Sequence, residues 1–288
     1  MSIITFNDEA IQPLSGTIHS EDYFQFPEYA ALTPEAVYKV LTREVTGGIF
    51  RNILSPAACE QISTNFWDSP SLRQRGDGVP AYYVGTYHYK KDMGIYLDEA
   101  EKTRDDVRAL FADTEDFLAN FLEAMRAFLA KRGVELRNAR HAGRAAGEYL
   151  MRSWSDSGKF ALEPHDDGAQ LDTQLQRGFE ISRTLAYTPV AVNICLQNGD
   201  GGALHYWNYE PDNNARRDLG LLGTGYPYPV DLLEPCERTS VSINQGDVYF
   251  FNGANIHAVE ALATQESYRS TISFLMGFID AETVIYWT

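Results

Sequence analysis

Cysteine is scarce: Cys59, Cys195 and Cys236 are the only three in 288 residues, lie far apart and form no Cys-x-x-Cys pair. That excludes a disulfide framework and a thiolate zinc ribbon, and points to a reducing, cytoplasmic setting. Positive charge is also short, with 24 Lys and Arg against 40 Asp and Glu and a formal charge of −16. A surface of that sign repels phosphate backbones and anionic lipid, so nucleic acid and membranes leave the list of partners and a small molecule stays on it. No run of eighteen apolar residues occurs, and the first eight residues hold no basic segment leading into an apolar one. Neither a spanning helix nor an export signal is therefore expected. Repeats, low-complexity tracts and an evident linker are missing too, which favours one domain over residues 1–288.

What is present is enough apolar surface to fold: 44% hydrophobic and 12% aromatic residues, far from the composition of disorder. The first forty residues mix Tyr, Phe, Pro and acids without period and read as an arm laid over the core. Ser55 and Pro56 supply a hydroxyl N-cap and a first-turn proline, predicting a helix to about Phe66. Residues 79–96 read as short strand-like pieces, and Thr103 with Asp106 as a helix start. Phe117, Leu118, Phe121, Leu122, Met125, Phe128 and Leu129 recur at helical spacing, predicting an amphipathic helix that ends before Gly133.

From about residue 145 the period becomes two. Strands are expected over 149–154, 160–165, 191–197, 203–209, 239–243, 247–251, 257–261 and 269–278, a mainly β sandwich or barrel covered on one side by helices. Residues 1–144 would then supply the arm and supporting helices, and 145–288 the β core.

The chemistry-bearing residues lie in that second half. In His165-Asp166-Asp167, alternation puts His165 and Asp167 on one face of an extended chain, so two metal-competent groups can converge. His257 follows an alternating strand and a glycine turn, and barrel closure can bring it to the same pair. Two imidazoles and one carboxylate leave three positions open on a metal, the facial triad suited to ferrous iron. A structural zinc would want four closed ligands. Twelve residues on, Arg269 shares a strand face with Thr271 and Ser273. No sequence neighbour is its evident mate, whereas a dicarboxylate cosubstrate would give it one end and chelate the iron with the other.

In order and spacing, His165, Asp167, His257, Arg269 and Thr271 resemble the pattern of the iron(II)/2-oxoglutarate-dependent oxygenases. Within that superfamily, Gly201-Gly202-Ala203-Leu204 leading into Tyr206-Trp207-Asn208-Tyr209-Glu210-Pro211, with the final Ile285-Tyr286-Trp287-Thr288, is similar to the free-standing alkaloid halogenases and N-acyl amino-acid hydroxylases. The resemblance implies a double-stranded β-helix, a jelly-roll relative, with iron held by His165, Asp167 and His257. It also implies 2-oxoglutarate anchored by Arg269 and Thr271, oxygen as co-reactant, and succinate and carbon dioxide as co-products. Halogenases of that kind replace the carboxylate ligand by Gly or Ala. Asp167 keeps it, so hydroxylation of a small molecule, an amino-acid derivative or natural-product intermediate, is the expectation. Halogenation and desaturation are the alternatives within the family.

Other polar residues carry two readings each. Asn193 reads as a cosubstrate contact or a sheet hydrogen bond, and Arg152 as a partner for a substrate carboxylate or half of an internal ion pair. His205, with Trp207 beside it, reads as a substrate contact or a structural histidine. His88 and His141 gain no role. Asp166 is the rival of Asp167 but points to the other face of a regular strand. Residues 212–235 form a long aperiodic loop, a lid or an inert insertion. Outside the family, the alternatives are a non-catalytic β-barrel binding protein and a cupin-like metalloenzyme without 2-oxoglutarate, for which Arg269 has no use.

Overall fold

A computed structural model describes residues 15–76, 81–155, 160–264 and 268–288. Its elements, in chain order, are α1 (Pro34–Leu41), β1 (Gly47–Phe50), α2 (Pro56–Trp67), β2 (Ala81–Val84), α3 (Met93–Arg108), α4 (Phe117–Ala130), β3 (Glu135–Asn138), β4 (Leu150–Ser155), β5 (Phe160–His165), β6 (Val190–Gln197), β7 (Leu204–Trp207), β8 (Arg238–Val241), β9 (Val248–Asn252), β10 (His257–Glu260), β11 (Tyr268–Asp280) and β12 (Thr283–Trp287), with shorter pieces between them. The fold is mainly β with flanking helices.

Two sheets carry the molecule. The larger runs β1, β9, β6, β11, β4, β2. Its spine is the long strand β11, whose first half pairs antiparallel with β4 and whose second half pairs with β12 along the same edge. The smaller sheet runs β5, β10, β7, β8, all antiparallel. Alternation sorts the large sheet's side chains. Val190, Val192, Ile194, Val248, Phe250, Ile272 and Phe274 face the helices and pack with Val37, Ile62, Phe66, Phe121 and Met125. Each such side chain contributes about 1.5–3 kcal/mol by burial. Ala191, Asn193, Tyr249, Phe251, Thr271 and Ser273, from the same strands, line a cavity on the other face. Among the described residues no helix is long and apolar enough to cross a membrane.

The capped helix beginning at Pro56 forms, with the Ser55 hydroxyl accepting from the Ala58 N–H, and α4 buries the predicted stripe. The helix start at Thr103 is a misreading: α3 begins ten residues earlier, capped by the Asp92 carboxylate on Gly94 and Ile95. Thr103 sits inside it and donates its hydroxyl to the Glu99 carbonyl at 2.8 Å, so a mid-helix threonine satisfied one turn back imitates a cap. Of the strand-like pieces over 79–96 only β2 forms, positions 79–80 lying outside the described residues. β1, β3 and β12 were not anticipated; of the eight expected strands 160–165 appears with those ends and the other seven with shifted ends. Of the N-terminal arm, residues 1–14 lie outside the described stretch. The rest crosses the β core, Gly16–Thr17 pairing with Glu210–Pro211 and Tyr23 accepting a hydrogen bond from Asn252.

Candidate active site

The pairing of β5 with β10 sets His165 directly opposite His257, past two register shifts in β5. Their ring centroids are 4.1 Å apart. Beyond β5 the chain turns, and the Asp167 N–H donates to the Gly253 carbonyl at 2.8 Å. This brings the Asp167 carboxylate 3.9 Å from His165 Nε2 and 3.7 Å from His257 Nε2. One ligand atom from each of the three residues lies within 4.8 Å of the others. The approach needs a glycine at 253, where a Cβ would come 2.7 Å from an Asp167 oxygen.

Each imidazole uses Nδ1 on a backbone carbonyl, Glu163 at 2.8 Å for His165 and Asn255 at 2.9 Å for His257. A carbonyl only accepts, so Nδ1 carries the proton and each Nε2 lone pair faces the cluster. Burial, then the neighbouring His257, pushes His165 down to about 3, and burial pushes His257 to about 4, so both rings are neutral. Burial raises the Asp167 carboxyl to about 6. Two neutral nitrogen donors and a carboxylate that suffers from its own desolvation form a donor set that a divalent cation completes, and one that leaves coordination positions open.

Asp166 is turned away and fully engaged. Arg216 holds both its oxygens at 2.7 and 3.2 Å, the Tyr228 hydroxyl donates at 2.7 Å and the Ala169 N–H at 2.8 Å.

A cavity of about 570 Å³ opens between the sheets over the cluster. Arg269 lines it, 1% exposed. One of its terminal nitrogens donates to the Tyr249 hydroxyl at 2.7 Å, while its Nε and the Thr271 hydroxyl have no hydrogen-bond partner among the described residues. Two buried, unsatisfied polar groups on one strand face fit a carboxylate that accepts from both. Asn193, on the adjacent β6 and paired with Ser273, lines the same wall. So does Arg152 on β4, opposite Thr271.

His205 and Trp207 are not brought to the cavity. On β7 the inward positions are Leu204, which lines it, and Tyr206, which packs with Tyr249 and Phe251. His205 bonds the Ser240 hydroxyl at 2.7 Å, and Trp207 joins a separate cluster with Tyr228 and Leu233. The structural reading of His205 fits; the substrate-contact reading of His205 and Trp207 took the wrong phase of the alternation. His141 stands on a small hairpin with its Nδ1 3.1 Å from the Gly178 carbonyl. His88 does line the cavity, and burial lowers it to about 4, so it stays neutral. The 212–235 loop is not loose throughout: Arg216 and Tyr228 pin it to Asp166, and the Gly225 carbonyl accepts from the Asp166 N–H at 3.0 Å. Between those anchors Tyr226 reaches the cavity wall, its ring 6.3 Å from that of His165.

Sequence reasoning missed Trp154, Tyr249, Tyr226 and the Arg216 clamp. The first two share strand faces with Arg152 and Phe251 and were open to the alternation argument. Arg216 stands on a short helix, Asn213–Asp218, capped by Asp212, so the expected 212–235 loop is helical at its start and again at Val230–Leu233; Tyr226 lies in the stretch between, which offers no signal.

Comparison with known proteins places these features. The family model of the carrier-protein-independent halogenase WelO5 matches residues 26–288. An L-isoleucine 3(1)-dioxygenase of Pantoea ananatis is 34% identical over 248 residues, covering 83% of this chain and 82% of that protein. Leucinostatins biosynthesis cluster protein S of Purpureocillium lilacinum is 23% identical over 203 residues, 67% of this chain and 79% of that one. Among solved structures, an N-substituted L-amino acid dioxygenase from Burkholderia ambifaria shares the fold, with a TM-score of 0.61 at 13% identity, covering 88% of this chain and 91% of that chain.

Proposed function

The chain belongs to the family of the carrier-protein-independent halogenase WelO5, and from that membership we propose that it hydroxylates an unactivated C–H bond of an amino acid or amino-acid derivative. Its class is that of the iron(II)- and 2-oxoglutarate-dependent dioxygenases. Iron and 2-oxoglutarate, when bound, supply the oxidising chemistry, with succinate and carbon dioxide as co-products, and the protein supplies ligation, orientation and exclusion of water.

His165, Asp167 and His257 would hold the ion, the two rings through Nε2. Arg269 and Thr271 would take the distal carboxylate of 2-oxoglutarate, with Asn193 beside it. Arg152 would face the substrate. The observation that carries this reading is one cavity holding both a convergent His, Asp, His cluster and a buried guanidinium with an unsatisfied nitrogen. A binding protein without chemistry has no need of the two together, and a cupin-like enzyme that dispenses with 2-oxoglutarate has no use for Arg269. Halogenation would require an open position where the Asp167 carboxylate stands, so oxygen insertion is the reading that fits the ligand set. The two antiparallel sheets with the cavity between them support a double-stranded β-helix. Packing of α1, α2 and α4 on the large sheet supports a single oxygenase domain over 1–288, in which 1–144 adds the strands β1, β2 and β3 to the sheet besides the expected arm and helices.

Thermal melts with ferrous ion and 2-oxoglutarate, singly and together without oxygen, test the pairing, and stabilisation that needs both is expected. A screen of amino acids and N-acyl amino acids by succinate release, with mass spectrometry for a product heavier by one oxygen atom, tests the reaction. Stabilisation by metal alone, untouched by 2-oxoglutarate, would refute the proposal.

A further inference from the structure

We propose that the cavity is a two-anion site, in which a second subsite built on Arg152 takes the carboxylate of the substrate; this rests on the function proposed above and specifies how its substrate is held. Arg152 and Arg269 come from neighbouring strands, β4 and β11, and their guanidinium carbons lie 5.0 and 5.8 Å from the ring of Trp154. Both guanidiniums therefore share one aromatic surface.

Arg152 is anchored but not neutralised. One terminal nitrogen donates to the Ser273 hydroxyl at 3.0 Å and its Nε has no partner. Among the described residues no carboxylate forms an ion pair with it. Burial, with Arg75 nearby, lowers it only to about 10, so the charge persists at neutral pH. The Ser273 bond, the Trp154 ring and the attraction of Asp167 offset part of its desolvation, but its Nε stays without a partner, the mark of a group that can take a ligand.

Charge counting separates this subsite from the first. Asp167 is the one carboxylate side chain lining the cavity among the described residues. A divalent ion, Asp167, the two charges of 2-oxoglutarate and Arg269 cancel among themselves. Lys91 is neutralised by Glu99. Arg75 and Lys90 line the cavity as well, so positive charge is left over; Arg152 is the part of it that stands beside Thr271 and Arg269, and a planar, bidentate carboxylate is the partner its geometry suits. Leu150, Leu162, Tyr83 and Tyr87 on the remaining wall suit an apolar side chain carried by that carboxylate. The carboxylate has two possible sources, the substrate or a second keto-diacid, and we assign it to the substrate.

Calorimetric titration of protein loaded with manganese in place of iron, and with 2-oxoglutarate, decides the matter without turnover. The probes are a panel of L-amino acids and N-acetyl amino acids, each with its amide lacking the carboxylate. The wild type should bind an acid at least tenfold more tightly than its amide. Arg152→Gln should erase that difference and leave 2-oxoglutarate affinity within twofold, while Arg269→Gln should weaken 2-oxoglutarate instead. Arg152→Lys should retain part of the preference for acids. Equal binding of acid and amide by the wild type overturns the assignment and leaves the oxygenase reading standing, as does acid preference that survives in Arg152→Gln. Two 2-oxoglutarate sites in the wild type and one in Arg152→Gln, with no acid competing, would give the subsite to the keto-diacid and overturn the substrate assignment. Failure of 2-oxoglutarate to bind the metal-loaded wild type would sink the function itself.

Discussion

At residue scale, the cluster depends on small spacings. Asp167 reaches both imidazoles because residue 253 has no side chain, and Gly253→Ala would push a methyl against the carboxylate. Such displacement of a ligand should weaken manganese binding by about tenfold to a hundredfold, the range found when groups supporting a metal ligand are disturbed; titration giving wild-type affinity would contradict it. Asp167→Ala should abolish hydroxylation, and normal turnover by that variant would remove Asp167 from the ligand set. Arg269→Gln loses a charge-assisted bond worth about 1.5–3 kcal/mol, so the KM for 2-oxoglutarate should rise roughly tenfold to a hundredfold. An unchanged KM would place the cosubstrate elsewhere. That His165, Asp167 and His257 could gather was legible from residue type and spacing, but period two is not what joins His165 to Asp167, because the strand ends at His165 and the chain turns before Asp167. His205 and Trp207 misled for a different reason: alternation states that neighbours part company, and only packing says which of the two turns inward.

At the scale of elements, the segment carrying His165 and Asp167 is fastened from the far side. Asp166, fully buried, receives Arg216, Tyr228 and a helix N–H, and so ties the 212–228 loop to the backbone between the two proposed ligands. Removing one partner of a buried pair leaves the other charge stranded, and Arg216→Met should cost about 3–5 kcal/mol by chemical denaturation. Metal affinity should fall as well, since Asp167 is the next residue. Adding Asp166→Asn should recover part of the stability; a double variant no more stable than the single would mean that the pair is not what holds the loop. None of this was visible in the chain. Arg216 is fifty residues from Asp166 in a stretch without period, and nothing local marks them as partners. The false helix start at Thr103 has a local cause, because a hydroxyl bonded to the carbonyl one turn back looks, in sequence, like one that begins a helix.

For the molecule as a whole, burying three neutral histidines couples stability to pH. His88, His165 and His257 hold folded values of about 4, 3 and 4, all below the 6.5 of the open chain. Between pH 6.5 and 4 the unfolded chain therefore binds protons that the fold refuses, and the metal-free protein loses stability as pH falls through that window. Asp167, raised to about 6, acts in the opposite sense and offsets part of the loss. His88→Gln should flatten the slope of denaturation free energy against pH by about 1.4 kcal/mol per unit at most; a slope identical to wild type would show that His88 does not contribute. Periodicity and composition missed β1, β3 and β12 but were sufficient for the capped helix at Pro56, the apolar stripe of α4, the eight strands of the second half, and the residue types able to grip a metal and an anion. These follow from local rules of side-chain direction and burial that a linear chain already obeys. Which faces turned inward, that β5 and β10 pair so that His165 meets His257, that Asp166 is spent on Arg216, and that a second guanidinium stands beside Trp154 were decided by long-range pairing alone. Such contacts join residues tens of positions apart, and the free energy that selects them is released only when the sheets close.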